Sequence, residues 1–306
     1  MRVGAIDCGT NSIRLLVADV EGPRLEEVVR EMTIVRLGEG VDRTGTFSQA
    51  ALDRTFVACD AYAATIAGLH VERLRFVATS ASRDVSNREA FVDGVRERLG
   101  IAPEVISGAE EARLSFRGAV EGLPADRVAM PTLVVDIGGG STEFVLGEPA
   151  GVEAAVSVNI GCVRMTERHL HGDPPAPEEI ARVESDVVAA LDEAAGAVPL
   201  EQARSLVGVA GTVTTLVALI HDLRVYDPAQ IHGREATLDQ IDEVTARLLA
   251  MPRAERAALP VMHPGRVDVI GGGALVLRAI MRRTGLPVIA SETDILDGVA
   301  RSLAAD

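Results

Sequence analysis

The sequence predicts an α/β protein made of two similarly built domains, and three observations carry that expectation. Short β-type runs alternate with helical patterns along the chain, the signature of layered strands and helices. A strand, an Asp-x-Gly tip and a second strand open the sequence and recur at 132–146 as an internal repeat. The length of 306 residues, 47% of them hydrophobic, provides for about two cores.

Taken in order, Val3–Ile6 and Ile13–Val20 are apolar strands joined by Asp7-Cys8-Gly9-Thr10-Asn11-Ser12, whose glycine and small polar residues mark a tight turn. Leu25–Leu37 continues as a strand, and Ser48 opens a helix with Leu52, Phe56, Cys59, Ala63 and Ile66 on one face. Arg73–Thr79 returns to β character. Ser86 caps a helix running to Leu99 that Gly100 stops, Glu104–Ile106 is a short strand, and a further helix spans about Ala109 to Glu121. After the turn at 122–126, Thr132–Asp136 and Glu143–Leu146 flank the second tip, Ile137-Gly138-Gly139-Gly140-Ser141-Thr142. Helices are expected at Glu178–Val198, Thr212–Asp222, Leu238–Leu249 and Ala274–Thr284, with strands at Ser205–Val209 and Val267–Ile270.

All 30 basic side chains are Arg, which removes the Walker A lysine, the protein-kinase lysine and Schiff-base chemistry. A formal charge of −15 argues against nucleic acid as a partner, because duplex-binding surfaces cluster cations against phosphates. The deficit is uneven: residues 1–118 carry −3 and residues 119–306 carry −12, so the first half is the better host for an anion. Three cysteines without paired spacing fit free thiols in a reducing compartment. No apolar run reaches the roughly 18 residues of a membrane span, and Asp7 interrupts any leader-like stretch, so a cytoplasmic protein without a membrane partner is expected.

Laid on each other, the two tips pair Asp7 with Asp136, Gly9 with Gly138, Ser12 with Ser141 and Arg14 with Glu143. Loops of Gly, Ser and Thr present backbone N–H groups without side-chain bulk, so phosphate can lie against the main chain. Either tip alone reads as an ordinary glycine turn; the repeat, with Asp before each, favours phosphate contact and two domains facing a shared cleft. Val209-Ala210-Gly211-Thr212-Val213-Thr214, a strand passing into a helix, is a third candidate through its helix N-terminus, and equally a small-residue packing contact.

Asp7, Asp136 and Glu143 lie at the ends or starts of apolar strands, where a lone carboxylate is costly to bury. Mg²⁺ would relieve that cost, since it uses one or two carboxylates with phosphate oxygens and waters. His169 and His171 lack a companion cluster for a metal. Glu110 and Glu111 open a helix, where acids ordinarily just favour the dipole, and Arg113 and Arg117 follow at ion-pair spacing. Arg83, leaving Thr79-Ser80-Ala81-Ser82 at the end of a buried strand, either grips an anion or covers the surface.

Together these motifs resemble the exopolyphosphatase/guanosine pentaphosphate phosphohydrolase (Ppx/GppA) family, a branch of the actin, Hsp70 and sugar-kinase superfamily. The resemblance rests on 7–15, on Ala78–Arg83 with Asn87, on Val105-Ile106-Ser107-Gly108-Ala109-Glu110-Glu111-Ala112-Arg113-Leu114 and on Val135–Glu143. It continues through Gly161–Glu167, Gly208–Thr212 and Arg266–Leu275. The Ile-Ser-Gly-x-Glu-Glu-Ala-Arg-Leu segment is the narrowest of these motifs.

The resemblance implies two RNase H-like domains, 1–118 completed by 289–306, and 119–288. It implies that Glu111 activates water, that Asp136 and Glu143, with Asp7, hold Mg²⁺, and that Arg83 binds the phosphate chain. Gly9, Thr10, Asn11, Ser12, Arg14, Thr79, Gly138, Gly139, Gly140, Ser141, Thr142, Arg164, Gly211 and Thr212 would line the substrate path. The implied substrate is inorganic polyphosphate or guanosine pentaphosphate, and a homodimer is expected. Longer members append an HD-type helical module that these 306 residues do not contain. Two rivals come from other classes: an ATP-dependent kinase, which the Glu110-Glu111 context disfavours, and a polyphosphate-binding regulator without hydrolysis.

Overall fold

A computed structural model describes residues 1–22, 24–83, 85–124, 126–148 and 151–304. The chain divides into two compact units, Met1–Gly118 with Ile295–Asp306, and Ala119–Asp294.

In the first unit, β1 (Arg2–Cys8), β2 (Ser12–Glu21) and β3 (Arg24–Ile34) form an antiparallel meander, and β4 (Arg73–Ala78) and β5 (Glu104–Val105) join it parallel to β1. The order β3-β2-β1-β4-β5 is the RNase H-like arrangement. Strand periodicity sorts its side chains. Ile6, Cys8, Ile13, Leu15 and Val17 face one core with residues of the helices Gln49–Gly68 and Arg88–Leu99. Val3, Ala5, Leu16, Ala18 and Val20 face another, closed by the C-terminal helix Ile295–Ala304. Gly298 lets that helix approach the helix Gly108–Glu121: a Cβ there would sit 2.1 Å from the Leu114 carbonyl oxygen.

The second unit repeats the plan. Its strands are β6 (Thr132–Ile137), β7 (Thr142–Glu148), β8 (Gly151–Val158), β9 (Ser205–Val209), β10 (Glu235–Ala236) and β11 (Val288–Ala290), in the order β10-β11-β9-β6-β7-β8. Leu133, Val135, Ile137, Phe144 and Leu146 point into its core; Asp136 and Glu143 therefore lie on the opposite face.

Several boundaries differ from the expectations. Val267–Ile270 is not a strand: Val269 and Ile270 N–H both bond the Arg266 carbonyl, and the segment turns directly into a helix, Ile270–Thr284. That helix starts four residues before Ala274, because its three glycines form the first turn and press on a neighbour. A Cβ on Gly272 would lie 2.9 Å from Cys162 O. β3 ends at Ile34 because Val35 and Arg36 turn their N–H groups onto Asn11 O. The helix expected from Ser86 begins at Arg88, while Asn87 bridges both Phe47 N–H and Phe47 O. The chain returns to the first unit at Ile295 rather than 289, since β11 pairs with β9 inside the second sheet. Of the turn expected at 122–126, Ala125 lies outside the described residues.

Candidate active site

The first tip is closed by Gly9 N–H donating to Ser12 O at 2.9 Å. Its carbonyls are engaged from the same unit: Thr10 O accepts from Gly38 N–H, and Asn11 O accepts from Val35 and Arg36 N–H, all within 3.0 Å. Carbonyl dipoles that would repel an anion are thereby occupied. Thr10 and Thr79 are buried, with Thr10 Oγ1 3.1 Å from Ser80 Oγ. Asn11 Oδ1 has no hydrogen-bond partner among the described residues. Asp7 and Arg14 are register partners across β1 and β2, and Arg14 Nη2 lies 2.6 Å from Asp7 Oδ2. The residues expected as a metal ligand and a substrate contact thus neutralise each other.

Glu111 stands in the first turn of the helix Gly108–Glu121, which Ser107 caps by accepting Glu110 N–H at its Oγ and Glu111 N–H at its carbonyl oxygen. Adjacent helical positions diverge by about 100°, and the two glutamates separate accordingly. Glu110 turns outward to Arg75, 2.9 Å away, whereas Glu111 is 7% exposed and accepts from Arg83 Nη1 at 2.7 Å. Arg83 also donates to Ile106 O at 3.3 Å, and Arg88 clamps the turn that carries it through Ser82 O and Arg83 O. Sequence reasoning missed Arg88; its one signal was a cation placed just after a short helical turn, where carbonyls are exposed.

The second tip has the same closing bond, Gly138 N–H to Ser141 O at 3.1 Å. Its carbonyls are engaged by the start of the helix Cys162–His169: Cys162 N–H meets Gly138 O, and Val163 and Arg164 N–H meet Gly139 O. Arg164, expected to contact substrate, donates Nε to Gly140 O at 2.7 Å and so holds the tip from the side. Thr142 Oγ1 donates to Ile160 O. Gly161 seats that helix on the loop, where a Cβ would come within 2.3 Å of Gly139 O.

At Gly211 the space of a Cβ is filled by the Arg266 guanidinium, 2.3 Å from the ideal Cβ position, and Thr212 packs on Gly273 in the same way. Arg266 also donates to Thr215 Oγ1 at 3.0 Å. The packing alternative for this segment is therefore realised at Gly211.

Asp136 and Glu143 face each other directly across β6 and β7, both buried. Like charges opposed on a strand pair are unfavourable, and a cation relieves them. No group of three or more His, Cys, Asp or Glu gathers among the described residues, so the donors fit Mg²⁺, which needs one or two carboxylates, and not a closed zinc site. His169 is bonded to Asp186 at 2.7 Å. Among the described residues no helix is long and apolar enough to cross a membrane.

The family model of the Ppx/GppA phosphatases matches residues 16–299. The chain belongs to the Ppx/GppA phosphatase family. Exopolyphosphatase 2 of Mycobacterium tuberculosis is 52% identical over 317 residues, covering 99% of this chain and 98% of that protein. Among solved structures, an exopolyphosphatase-like protein superposes with a TM-score of 0.96 at 43% identity, covering 100% of this chain and 99% of the other. The Ppx/GppA member of Aquifex aeolicus superposes with a TM-score of 0.83 at 30% identity, over 100% and 99% of the two chains. Like its Ppx/GppA relatives, the chain is an enzyme, a hydrolase of phosphoanhydrides.

Proposed function

We propose that this Ppx/GppA phosphatase is an exopolyphosphatase that releases orthophosphate from the end of inorganic polyphosphate, with Mg²⁺ as cofactor and Glu111 as the base. The observation that carries this reading is the buried Glu111 carboxylate held 2.7 Å from Arg83, in a chain 52% identical to an exopolyphosphatase along its whole length.

In the proposed reaction Glu111 takes a proton from water, the water oxygen bonds to the terminal phosphorus, and the bond from that phosphorus to the bridging oxygen breaks. The shortened chain leaves with the electron pair. Arg83 offsets phosphate charge next to the base, and the first tip, in the same unit, offers backbone N–H groups to further phosphates. Mg²⁺, when bound, neutralises phosphate oxygens. Asp136 and Glu143 would hold it; Asp7, neutralised by Arg14, is not needed for it. Because the chain carries −15, repulsion of a long polyanion must be overcome locally, which favours short chains and steep dependence on Mg²⁺.

The test is phosphate release from polyphosphates of graded length and from guanosine pentaphosphate, side by side, with and without Mg²⁺. Polyphosphate turnover that needs Mg²⁺ is expected. Release from guanosine pentaphosphate alone would replace this reading with the nucleotide hydrolase, and transfer of label to an acceptor would replace it with a kinase.

A further inference from the structure

Asp136, Glu143 and Ser157 form one row across β6, β7 and β8, each residue the register partner of the next. The matching row of the first unit is Asp7, Arg14 and Met32. There a guanidinium one strand away holds the aspartate. In the second unit that place is taken by Glu143, and the side chain that holds it comes from the edge strand: Ser157 Oγ donates to Glu143 Oε1 at 2.5 Å.

We propose that Ser157 is a positioning residue that fixes the Glu143 carboxylate for the metal; the inference rests on the reading of Glu143 as a magnesium ligand. A glutamate has three rotatable side-chain bonds, and binding must freeze them. Glu143 is 1% exposed, so its aim is set by the few groups beside it, and the Ser157 hydroxyl fastens one oxygen before the ion arrives. Hydrogen bonds to ligating carboxylates are worth about 10–100-fold in metal affinity. A serine that merely satisfied a buried acid would affect folding stability and leave metal affinity alone.

Threonine and valine differ by the hydroxyl and are both at home in a strand, so Ser157→Thr and Ser157→Val in the full chain isolate it. Mn²⁺ serves as the probe, with free Mn²⁺ followed by electron paramagnetic resonance, alongside Glu143→Gln. Ser157→Val is expected to weaken Mn²⁺ binding about tenfold, Ser157→Thr to keep it, and KM for polyphosphate at saturating metal to stay unchanged in both. Wild-type affinity in Ser157→Val, with binding lost in Glu143→Gln, would overturn the role of Ser157 and leave the magnesium reading standing. Equal loss in the Thr and Val variants would also overturn it. Wild-type affinity in Glu143→Gln would instead overturn the reading of Glu143 as a metal carboxylate.

Discussion

Arg83 Nη1 lies 2.7 Å from Glu111 Oε2, an ion pair with only 22% and 9% of the two side chains exposed. In the proposed reaction the same guanidinium also offsets substrate charge, so its loss should act on the ion pair and on binding alike. Arg83→Ala is expected to raise KM for polyphosphate and to lower stability by about 1–3 kcal/mol, the usual cost of depriving a buried polar group of its partner. Arg83→Lys keeps the charge but not the planar fork and should fall between. Steady-state kinetics and urea unfolding check both; unchanged KM in the alanine variant contradicts the substrate role.

The repeat diverges where Arg14 of one hairpin matches Glu143 of the other. Asp7→Asn should therefore cost stability, about 1–3 kcal/mol by loss of a charged hydrogen bond, while Mn²⁺ binding persists. Asp136→Asn should instead lose Mn²⁺ affinity. Calorimetric melting and Mn²⁺ titration of the two variants separate the outcomes.

Gly161 is not replaceable without movement of backbone, because a Cβ would meet Gly139 O at 2.3 Å and Gly140 N at 2.6 Å. Gly161→Ala is expected to destabilise by about 1–3 kcal/mol, the range for overpacking, and to lower turnover by displacing the second tip. Gly196, with nothing within 4 Å of its Cβ position near the end of the helix Pro177–Ala197, provides the contrast. Gly196→Ala should stabilise by up to about 1 kcal/mol from helix propensity.

The thiols give a pH dependence with a definite sign. Burial pushes Cys59 up to about 12 and Cys162 up to about 11, and Cys8 rises well above its ordinary value for the same reason. Folded, they stay protonated where the unfolded chain has begun to ionise them, so between about pH 9 and 11 the folded state binds more protons. Stability should fall as pH rises through that window. A thiol reagent at pH 8 should label none of the three cysteines in the native protein and all three after unfolding.

Much of the fold was legible in the sequence, because period-two strands around two Asp-x-Gly tips specify both the hairpins and their repetition. The glycines of 271–273 were misleading: glycine suggests a loop, but here its missing side chain lets a helix start against Cys162 and Thr166. The site was legible in its residue types and less so in its pairings. Nothing in spacing alone shows that Arg14 is turned onto Asp7, that Arg83 holds Glu111, or that Ser157 sits beside Glu143, 14 residues away. Those contacts are made by strand register and by the docking of a helix, which only the folded chain fixes.

The central claim is tested most directly by Glu111→Gln, which preserves shape and removes the proton acceptor. Single-turnover and steady-state hydrolysis of a short polyphosphate are to be measured beside substrate affinity by calorimetry. A loss of turnover of about 10²–10⁴-fold, the range for a general base, with affinity retained, is the predicted result. Turnover close to wild type, or affinity and turnover lost in equal measure, would contradict it.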